Sequence, residues 1–136
     1  MEINIVCILG AGTLGSRIAL QAALSGYSVR VYDIHTHALE SSKKVMAKIL
    51  RQLSLPSDAL ESILFTTDPA EAVANADIIS ESVTEDLALK RQVWAQFGAL
   101  APEKTIFTTN TSYLLPSQLA DASGRPARFC AFHFHD

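Results

Sequence analysis

Side chains suited to proton transfer follow two apolar stretches in the second half of the chain. Asn110 and Ser112 come directly after "TIFTT", and His133 lies in the run "FCAFHFHD". Histidine, whose pKa lies near neutrality, is the side chain best suited to accept a hydroxyl proton. A serine hydroxyl or an asparagine amide nearby can hold the substrate oxygen on which charge develops. These three residues predict the catalytic half of a dehydrogenase site, which also needs a hydride acceptor.

A glycine-rich loop, "GAGTLG", directly follows the apolar run "INIVCIL" near the start of the sequence. Its G-x-G-x-x-G spacing marks a dinucleotide-binding loop when it joins a strand to a helix. Gly10 permits a tight turn, Gly12 lets a pyrophosphate approach the backbone, and Gly15 lets the helix pack closely on the strand. Thr13 and Leu14 complete the loop, where the free N–H groups of the helix start face the phosphates. The loop therefore predicts a dinucleotide cofactor.

The choice of dinucleotide depends on Asp33, which ends the next apolar run, "SVRVYD". A carboxylate at this place can accept hydrogen bonds from the adenosine ribose hydroxyls, and its charge would repel a 2′-phosphate. NAD is therefore favoured over NADP, and a flavin dinucleotide on the same fold stays an alternative. His35 and His37, which follow Asp33, are interpreted as capping and solvated residues.

The elements that position these residues follow from the alternation of β-branched runs with amphipathic stretches. Six strands are predicted, namely "INIVCIL", "SVRVYD", "ILFTT", "DIISESV", "TIFTTN" and "ARFCAFHF", with helices between them. The pattern is typical of an α/β, doubly wound, mainly parallel sheet, the Rossmann fold, in one domain over residues 1–136.

Apolar spacing also predicts which side chains are buried. Two helical stripes are expected to face the core: Val45, Ile49 and Leu53 in the second helix, and Leu89, Val93 and Phe97, with Trp94 beside them, after the fourth strand. Cys7 and Cys130 fall inside apolar runs, where a lone cysteine behaves as a small buried hydrophobe. Neither a disulfide nor a metal site is predicted.

Polar side chains at the ends of three predicted strands are expected to converge, because open parallel sheets bind ligands at the carboxyl ends of their strands. Glu85 follows the fourth strand, Asn110 and Ser112 follow the fifth, and His133 lies at the end of the sixth. Glu85 could equally form an ordinary surface pair with Lys90 on one helix. The sequence leaves these two interpretations of Glu85 open.

Composition excludes several other classes of protein. The formal net charge is −3, with lysine and arginine scattered, so no basic patch for nucleic acid or an anionic membrane is indicated. Hydrophobic residues make up 49% of the chain, yet no apolar run approaches the roughly 20 residues of a membrane span. The first residues, "MEINIVCILGAG", lack the basic region of a signal peptide, so a cytoplasmic location is expected.

The motifs "GAGTLGSRIA", "VYDI", "ADIISESVTEDLALKRQVW", "TIFTTNTS" and "RPARFCAFHF" together resemble the NAD-binding domain of the L-3-hydroxyacyl-CoA dehydrogenases. They follow the family's order across almost the whole chain. The resemblance implies NAD-dependent oxidation of a 3-hydroxyacyl-CoA, or the reverse reduction. It places the family's catalytic histidine on His133, its hydrogen-bonding serine on Ser112, and its nicotinamide-side residues on Glu85, Lys90 and Asn110.

Three departures from the family pattern keep other functions open. Tyr113 stands where the family has a second serine, and His135 and Asp136 replace a phenylalanine and an asparagine. A free 3-hydroxy or 3-keto acid is therefore an alternative small-molecule substrate. A non-catalytic function as a dinucleotide-sensing module is a further alternative. The family also continues into a helical domain that closes the substrate cleft and forms a homodimer. The resemblance implies that this C-terminal domain is absent here and that the isolated chain turns over poorly.

Overall fold

The computed structural model describes residues 2–111 and 116–132 of the chain. Ser112 and His133, which the sequence predicts to be catalytic, lie outside these residues. The same holds for Tyr113, His135 and Asp136, at which the sequence departs from the family pattern. The structure therefore describes the surroundings of the predicted cofactor residues and of Asn110.

Within the described residues, one sheet of six parallel strands is flanked by helices. The strands are β1 (Ile5–Leu9), β2 (Ser28–Tyr32), β3 (Leu64–Thr66), β4 (Ile78–Glu81), β5 (Ile106–Thr109) and β6 (Phe129–Ala131). The helices are α1 (Thr13–Leu24), α2 (Thr36–Gln52), α3 (Asp58–Glu61), α4 (Pro69–Val73), α5 (Leu87–Leu100) and α6 (Pro116–Ser123), with a 3₁₀ turn at Pro126–Arg128. The spatial order β3-β2-β1-β4-β5-β6 reverses between β1 and β4. The predicted doubly wound fold is confirmed.

The register aligns the carboxyl ends of the four central strands. Leu9 of β1 is paired with Tyr32 of β2 on one side and with Glu81 of β4 on the other, and Glu81 is paired with Thr109 of β5. The residues that follow these strands therefore form one continuous rim. Ligands of open α/β sheets bind at such a rim, where the strand order reverses.

Alternation along the strands divides the core between the two faces of the sheet. Val6 and Ile8 of β1 pack with α1 and α2 on one face. Cys7 and Leu9 pack on the other face, in the cluster that contains Trp94 of α5. Both faces are covered, as the continuous apolar pattern of β1 requires.

The buried stripe of α2 differs from the predicted one. Its buried residues are Leu39, Ser42, Met46 and Leu50, whereas Val45 and Ile49 are only partly buried and Leu53 is 59% exposed. Sequence spacing missed the stripe because one of its members is a serine. The Ser42 hydroxyl is nevertheless satisfied inside the core by the Ser16 hydroxyl, with 2.6 Å between the two oxygens. Helix α3 was not predicted.

The two cysteines also differ from the prediction. Cys7 is fully buried, and this burial raises the pKa of its thiol to about 12. Cys130 is exposed, because it lies on β6 at the edge of the sheet, so its predicted burial is wrong. Across residues 2–111 and 116–132, no helix combines the length and apolarity that a membrane crossing requires.

Candidate cofactor site

The glycine loop between β1 and α1 makes the close contacts that its spacing predicts. Gly10 has a φ angle of +102°, and a Cβ atom on it would lie 2.7 Å from the Ser82 carbonyl oxygen. A Cβ atom on Gly15 would lie 2.0 Å from the Gly10 carbonyl oxygen. A side chain at Gly10 would push the loop away from the end of β4, and a side chain at Gly15 would push α1 away from the loop. Packing therefore requires glycine at both positions.

The space around Gly12 is open, whereas the other two glycines are crowded. It is exposed, has an ordinary φ of −73°, and a Cβ atom built on it would meet nothing within 4 Å. It is also the N-cap of α1, and no side chain of the described residues caps this helix. The first N–H groups of a helix have no acceptor within the helix and attract an anion. The space above Gly12 therefore fits a phosphate group.

Asp33 lies beside this space and is bonded to the loop. Its Oδ2 accepts a hydrogen bond from the Ala11 N–H at 3.0 Å, and its Oδ1 accepts one from the His35 N–H at 2.9 Å. A carboxylate has about four lone-pair sites, so each oxygen can still accept a bond from a ribose hydroxyl. His35 precedes the first residue of α2 and makes no side-chain cap, so the capping role predicted for it is wrong.

A cavity of about 610 Å³ connects the glycine loop and Asp33 with the end of β4. Its lining includes Gly10, Gly12, Asp33, the exposed Ile34 and residues 82–84. This volume is within the range of small-molecule and cofactor pockets. The cavity can hold one half of a dinucleotide, with apolar walls for a base and a carboxylate for a sugar.

Helix α5 forms one wall of this cavity with side chains that were predicted to face the core. Leu89 and Val93 of α5 line the cavity, and Leu89 is 40% exposed. The core side of α5 instead carries Lys90, Trp94 and Phe97, together with Gly98. The predicted stripe is therefore wrong for Leu89 and right for Phe97, and Val93, which lines the cavity, is partly buried and also packs against the core of that face. A charged residue, Lys90, occupies a place where apolar spacing predicts leucine or valine.

Lys90 belongs to a cluster of charged residues at the ends of β4 and β5. Its ammonium group contacts Glu81 Oε2 at 2.5 Å, Glu85 Oε1 at 3.0 Å and the Val83 carbonyl oxygen at 3.1 Å. The Lys90 side chain is 1% exposed and that of Glu81 is fully buried, whereas Glu85 is 31% exposed. An ammonium group has three donors, so Lys90 is saturated by these acceptors.

The structure rejects the interpretation of Glu85 and Lys90 as a surface pair on one helix. Asp86 is the N-cap of α5, and its Oδ1 accepts a hydrogen bond from the Leu89 N–H at 2.9 Å. Glu85 therefore precedes the helix and lies in the loop after β4. Its Oε2 accepts a hydrogen bond from Thr111 Oγ1 at 2.8 Å, which joins this loop to the one after β5.

Asn110 is 6% exposed and is bonded to the end of β4. Its Nδ2 donates to Ser82 Oγ at 2.8 Å and to Ser80 Oγ at 3.2 Å, and its backbone N–H donates to the Glu81 carbonyl oxygen. Both side-chain amide protons therefore have acceptors at the end of β4. This arrangement fixes the start of the loop that leads to Ser112.

The structure thus brings the predicted residues together in two groups. Gly10, Gly12 and Asp33 line the cavity, and Thr13, Leu14 and Gly15 form the first turn of α1 behind it. Glu85, Lys90 and Asn110 form the second group, at the ends of β4 and β5. Sequence reasoning missed Glu81, although a charged residue inside the apolar run "DIISESV" was a signal for a buried partner.

Comparison with known proteins identifies relatives of this chain. The family model described as 3-hydroxyacyl-CoA dehydrogenase, NAD binding domain, matches residues 5–136. A probable 3-hydroxybutyryl-CoA dehydrogenase of Deinococcus radiodurans is 36% identical over 134 residues, which cover 93% of this chain and 48% of the relative. The mitochondrial hydroxyacyl-coenzyme A dehydrogenase of Sus scrofa is 33% identical over 142 residues, covering 95% of this chain and 45% of the relative.

Solved structures are similar over the same part. The 3-hydroxybutyryl-CoA dehydrogenase from Escherichia coli K12 has a TM-score of 0.93 and 29% identity, covering 100% of this chain and 30% of its own. A diketoreductase with substrate-directed dual catalysis of dicarbonyl compounds has a TM-score of 0.91 and 42% identity, covering 99% of this chain and 51% of its own. The chain spans about half the length of the curated relatives it matches. It belongs to the family of 3-hydroxyacyl-CoA dehydrogenase NAD-binding domains, for which NAD is the cofactor.

Proposed function

We propose that this chain supplies the NAD-binding half of an enzyme that oxidises a 3-hydroxyacyl-CoA to the 3-ketoacyl-CoA, or catalyses the reverse reduction. The observation that carries the cofactor half is the open space above Gly12, beside the Asp33 carboxylate. The relatives' names support the substrate class, because they are 3-hydroxybutyryl-CoA and hydroxyacyl-coenzyme A dehydrogenases.

The cofactor would lie across the rim of the sheet. The α1 N-terminus and Gly12 would hold the pyrophosphate, and Asp33 would accept hydrogen bonds from the adenosine ribose. Ile34, which is 72% exposed at the cavity, would cover one face of the adenine. NAD⁺, when bound, supplies the hydride acceptor.

The residues proposed for catalysis follow the next strands of the sheet. We propose that His133 accepts the proton of the C3 hydroxyl and that Ser112 holds the substrate oxygen, whereas Asn110, predicted to share that role, fixes the loop after β5. Supporting this, Asn110 begins the loop after β5 at the same rim as the cavity. Because its Nδ2 is bonded to Ser82, Asn110 would act mainly by fixing this loop.

Titration with NADH and with NADPH, followed by heat or nicotinamide fluorescence, tests the cofactor half. Gly12→Ala should weaken NADH binding at least about tenfold, because the new methyl group occupies the phosphate space. The fold should be unaffected, since the added Cβ atom meets nothing within 4 Å. Gln21→Ala, an exposed change on the same helix, is the matched control and should leave binding unchanged.

Asp33→Ala tests the cofactor preference in the same assay. NADH should bind more weakly, and the preference for NADH over NADPH should shrink, because the repelling carboxylate is gone. Absence of NADH binding by the unmodified chain would contradict the proposal. Equal binding of NADH and NADPH would contradict the assignment of Asp33.

A second substrate class is favoured by one comparison. The diketoreductase, at 42% identity, acts on dicarbonyl compounds. Rates of NADH oxidation with acetoacetyl-CoA and with a free dicarbonyl acid, measured on the full-length enzyme, separate the two. We propose the CoA ester as the substrate, and a higher kcat/KM for the free acid would overturn that choice.

We also propose that the complete enzyme is a cytoplasmic homodimer. Both cysteines are free, as is usual for proteins of reducing compartments, which supports the location. The dimer follows from the resemblance to the family. Light scattering on the full-length enzyme tests it, and a monomer at micromolar concentration would contradict it.

A further inference from the structure

The buried carboxylate of Glu81 takes no part in the steps proposed above. We infer that Glu81 is a positioning residue for the half of the site that holds the nicotinamide end of the cofactor. It acts through Lys90 and Thr109, without touching the cofactor. The inference rests on the proposed function, because it assumes a dinucleotide bound across the rim.

Sheet topology separates the two ends of the cofactor. A dinucleotide on a doubly wound sheet lies across the point where the strand order reverses, here between β1 and β4. Asp33, beyond β2, is on the adenosine side of that point. Glu85 and Thr111, which follow β4 and β5, are therefore on the nicotinamide side.

One route of contacts leads from Glu81 to Thr111 through charged groups. Glu81 Oε2 holds the Lys90 ammonium at 2.5 Å, and the same ammonium holds Glu85 Oε1 at 3.0 Å. Glu85 Oε2 then accepts from Thr111 Oγ1 at 2.8 Å. The partly exposed Glu85 is thus fixed from both of its oxygens, and one of these contacts depends on where Glu81 places Lys90.

A second route leads to Thr111 through β5. Thr109 Oγ1 donates to Glu81 Oε1 at 2.7 Å, and the Thr111 N–H donates to Thr109 Oγ1 at 3.3 Å. Thr109 is fully buried and Thr111 is 7% exposed. Glu81 is therefore the common origin of both routes, and Thr111 directly precedes Ser112.

The cluster requires a carboxylate at this position. Glu81 Oε1 also accepts from Trp94 Nε1 at 3.3 Å, and Oε2 also accepts from the Val83 N–H at 2.9 Å. Four donors therefore point at the two oxygens, two at each. A glutamine has one carbonyl oxygen and an NH₂ group that is itself a donor. Glu81→Gln would leave two of the four donors facing another donor, with almost no change in volume.

The test compares NADH with ADP, which lacks the nicotinamide ribose and ring, as ligands of the same chain. Glu81→Gln should raise the Kd for NADH about tenfold, the cost of one misplaced charge-assisted contact. The Kd for ADP should change less than about twofold, because Gly12 and Asp33 are not linked to this cluster by the contacts above, and Val83 of the cavity wall meets Glu81 through its backbone N–H. Circular dichroism in the far ultraviolet checks that the variant is folded, because Trp94 itself contacts Glu81.

Thr109→Val and Asp77→Asn complete the experiment. Thr109→Val removes the donor to Glu81 at constant side-chain shape. It should raise the Kd for NADH about threefold without changing that for ADP. If Glu81→Gln does not fold, this variant alone tests the inference. Asp77→Asn changes a buried carboxylate at the opposite end of β4 and should not alter the ratio of the two affinities.

Three outcomes are distinguished. Selective weakening of NADH by Glu81→Gln or Thr109→Val supports the inference. Equal weakening of both ligands, or no change in either, shows that Glu81 only supports the fold and overturns it. If the unmodified chain does not bind NADH, the proposed function itself fails, and the inference fails with it.

Discussion

An ion pair between a carboxylate and a lysine lies at each end of strand β4, and the two pairs differ in their exposure. Asp77, directly before the strand, contacts the Lys104 ammonium at 2.9 Å, and that lysine is 50% exposed. Glu81, the last residue of the strand, contacts Lys90, and both side chains are at most 1% exposed. The first pair lies at the edge opposite the cofactor rim, and the second lies beneath the rim.

The difference lies in what else each carboxylate holds. Asp77 Oδ2 accepts from the N–H groups of Asn4 and Ile5, both at 2.9 Å, so it ties the start of β1 to β4. Glu81 instead joins side chains from α5 and β5 and the loop of residues 82–85. The lysine that pairs with Asp77 stays in water, whereas both members of the Glu81 pair are withdrawn from it. The two ends should therefore respond differently to mutation and to pH.

The largest effect is expected when the buried pair is broken. Lys90→Met should lower the free energy of unfolding by about 3–5 kcal/mol, because it leaves the fully buried Glu81 charge without its cation. At the other end, Lys104→Met should cost less than about 1 kcal/mol, as is usual for a partly exposed pair. Urea denaturation of both variants measures the contrast. Equal losses would show that burial does not distinguish the two ends.

A smaller effect is expected when both charges of the buried pair are neutralised. The double change Glu81→Gln with Lys90→Met should be more stable than the sum of the single changes predicts, by about 1–3 kcal/mol. The reason is that the second change removes the unpaired charge left by the first. Four unfolding curves, one for each corner of the cycle, give this coupling. Strict additivity would mean that the two side chains do not interact.

The smallest effect is the pH dependence contributed by Asp77. The Lys104 hydrogen bond, together with the N–H groups of Ile5 and Asn4, lowers the pKa of Asp77 from 3.8 to about 2. A carboxyl pKa that is lower in the folded state contributes stability that is full above the unfolded value of 3.8 and is lost as the pH falls toward 2.

Asp77→Asn should therefore flatten the decline in stability between pH 3.8 and 2 and leave its shape above that window unchanged. Thermal unfolding at a series of pH values measures the effect, with the unmodified chain as reference. A decline of the same size in the variant would assign the acid sensitivity to other carboxylates.

The sequence predicted correctly that the glycine loop and Asp33 lie at one end of the sheet, because their positions are set by local neighbours. Gly10, Gly12 and Gly15 lie between β1 and the first turn of α1, and Asp33 directly follows β2. The periodicity of β-branched runs predicted the fold for the same reason. These features depend on neighbours along the chain, which a single sequence displays.

The Glu81 cluster was missed because its contacts are long-range. Glu81 meets Thr109, which is 28 positions away, and Lys90, whose charge predicts exposure. Spacing alone made Leu89 and Val93 core and left Lys90 as a possible surface residue. Only the register of β4 with β5, together with the rotation of α5, determines which of these side chains meet.

The hydrogen bond from the Ala11 N–H to Asp33 has a consequence for redesign of cofactor preference. The carboxylate proposed to discriminate against a 2′-phosphate also anchors the loop proposed to hold the pyrophosphate. An arginine introduced at position 33 to recruit NADP has no acceptor for the Ala11 N–H, so a gain in selectivity would be offset by weaker binding of either nucleotide. Cofactor selectivity and nucleotide affinity are thus coupled through Asp33. We expect an exchange of cofactor to need a second substitution that supplies a new acceptor for the Ala11 N–H.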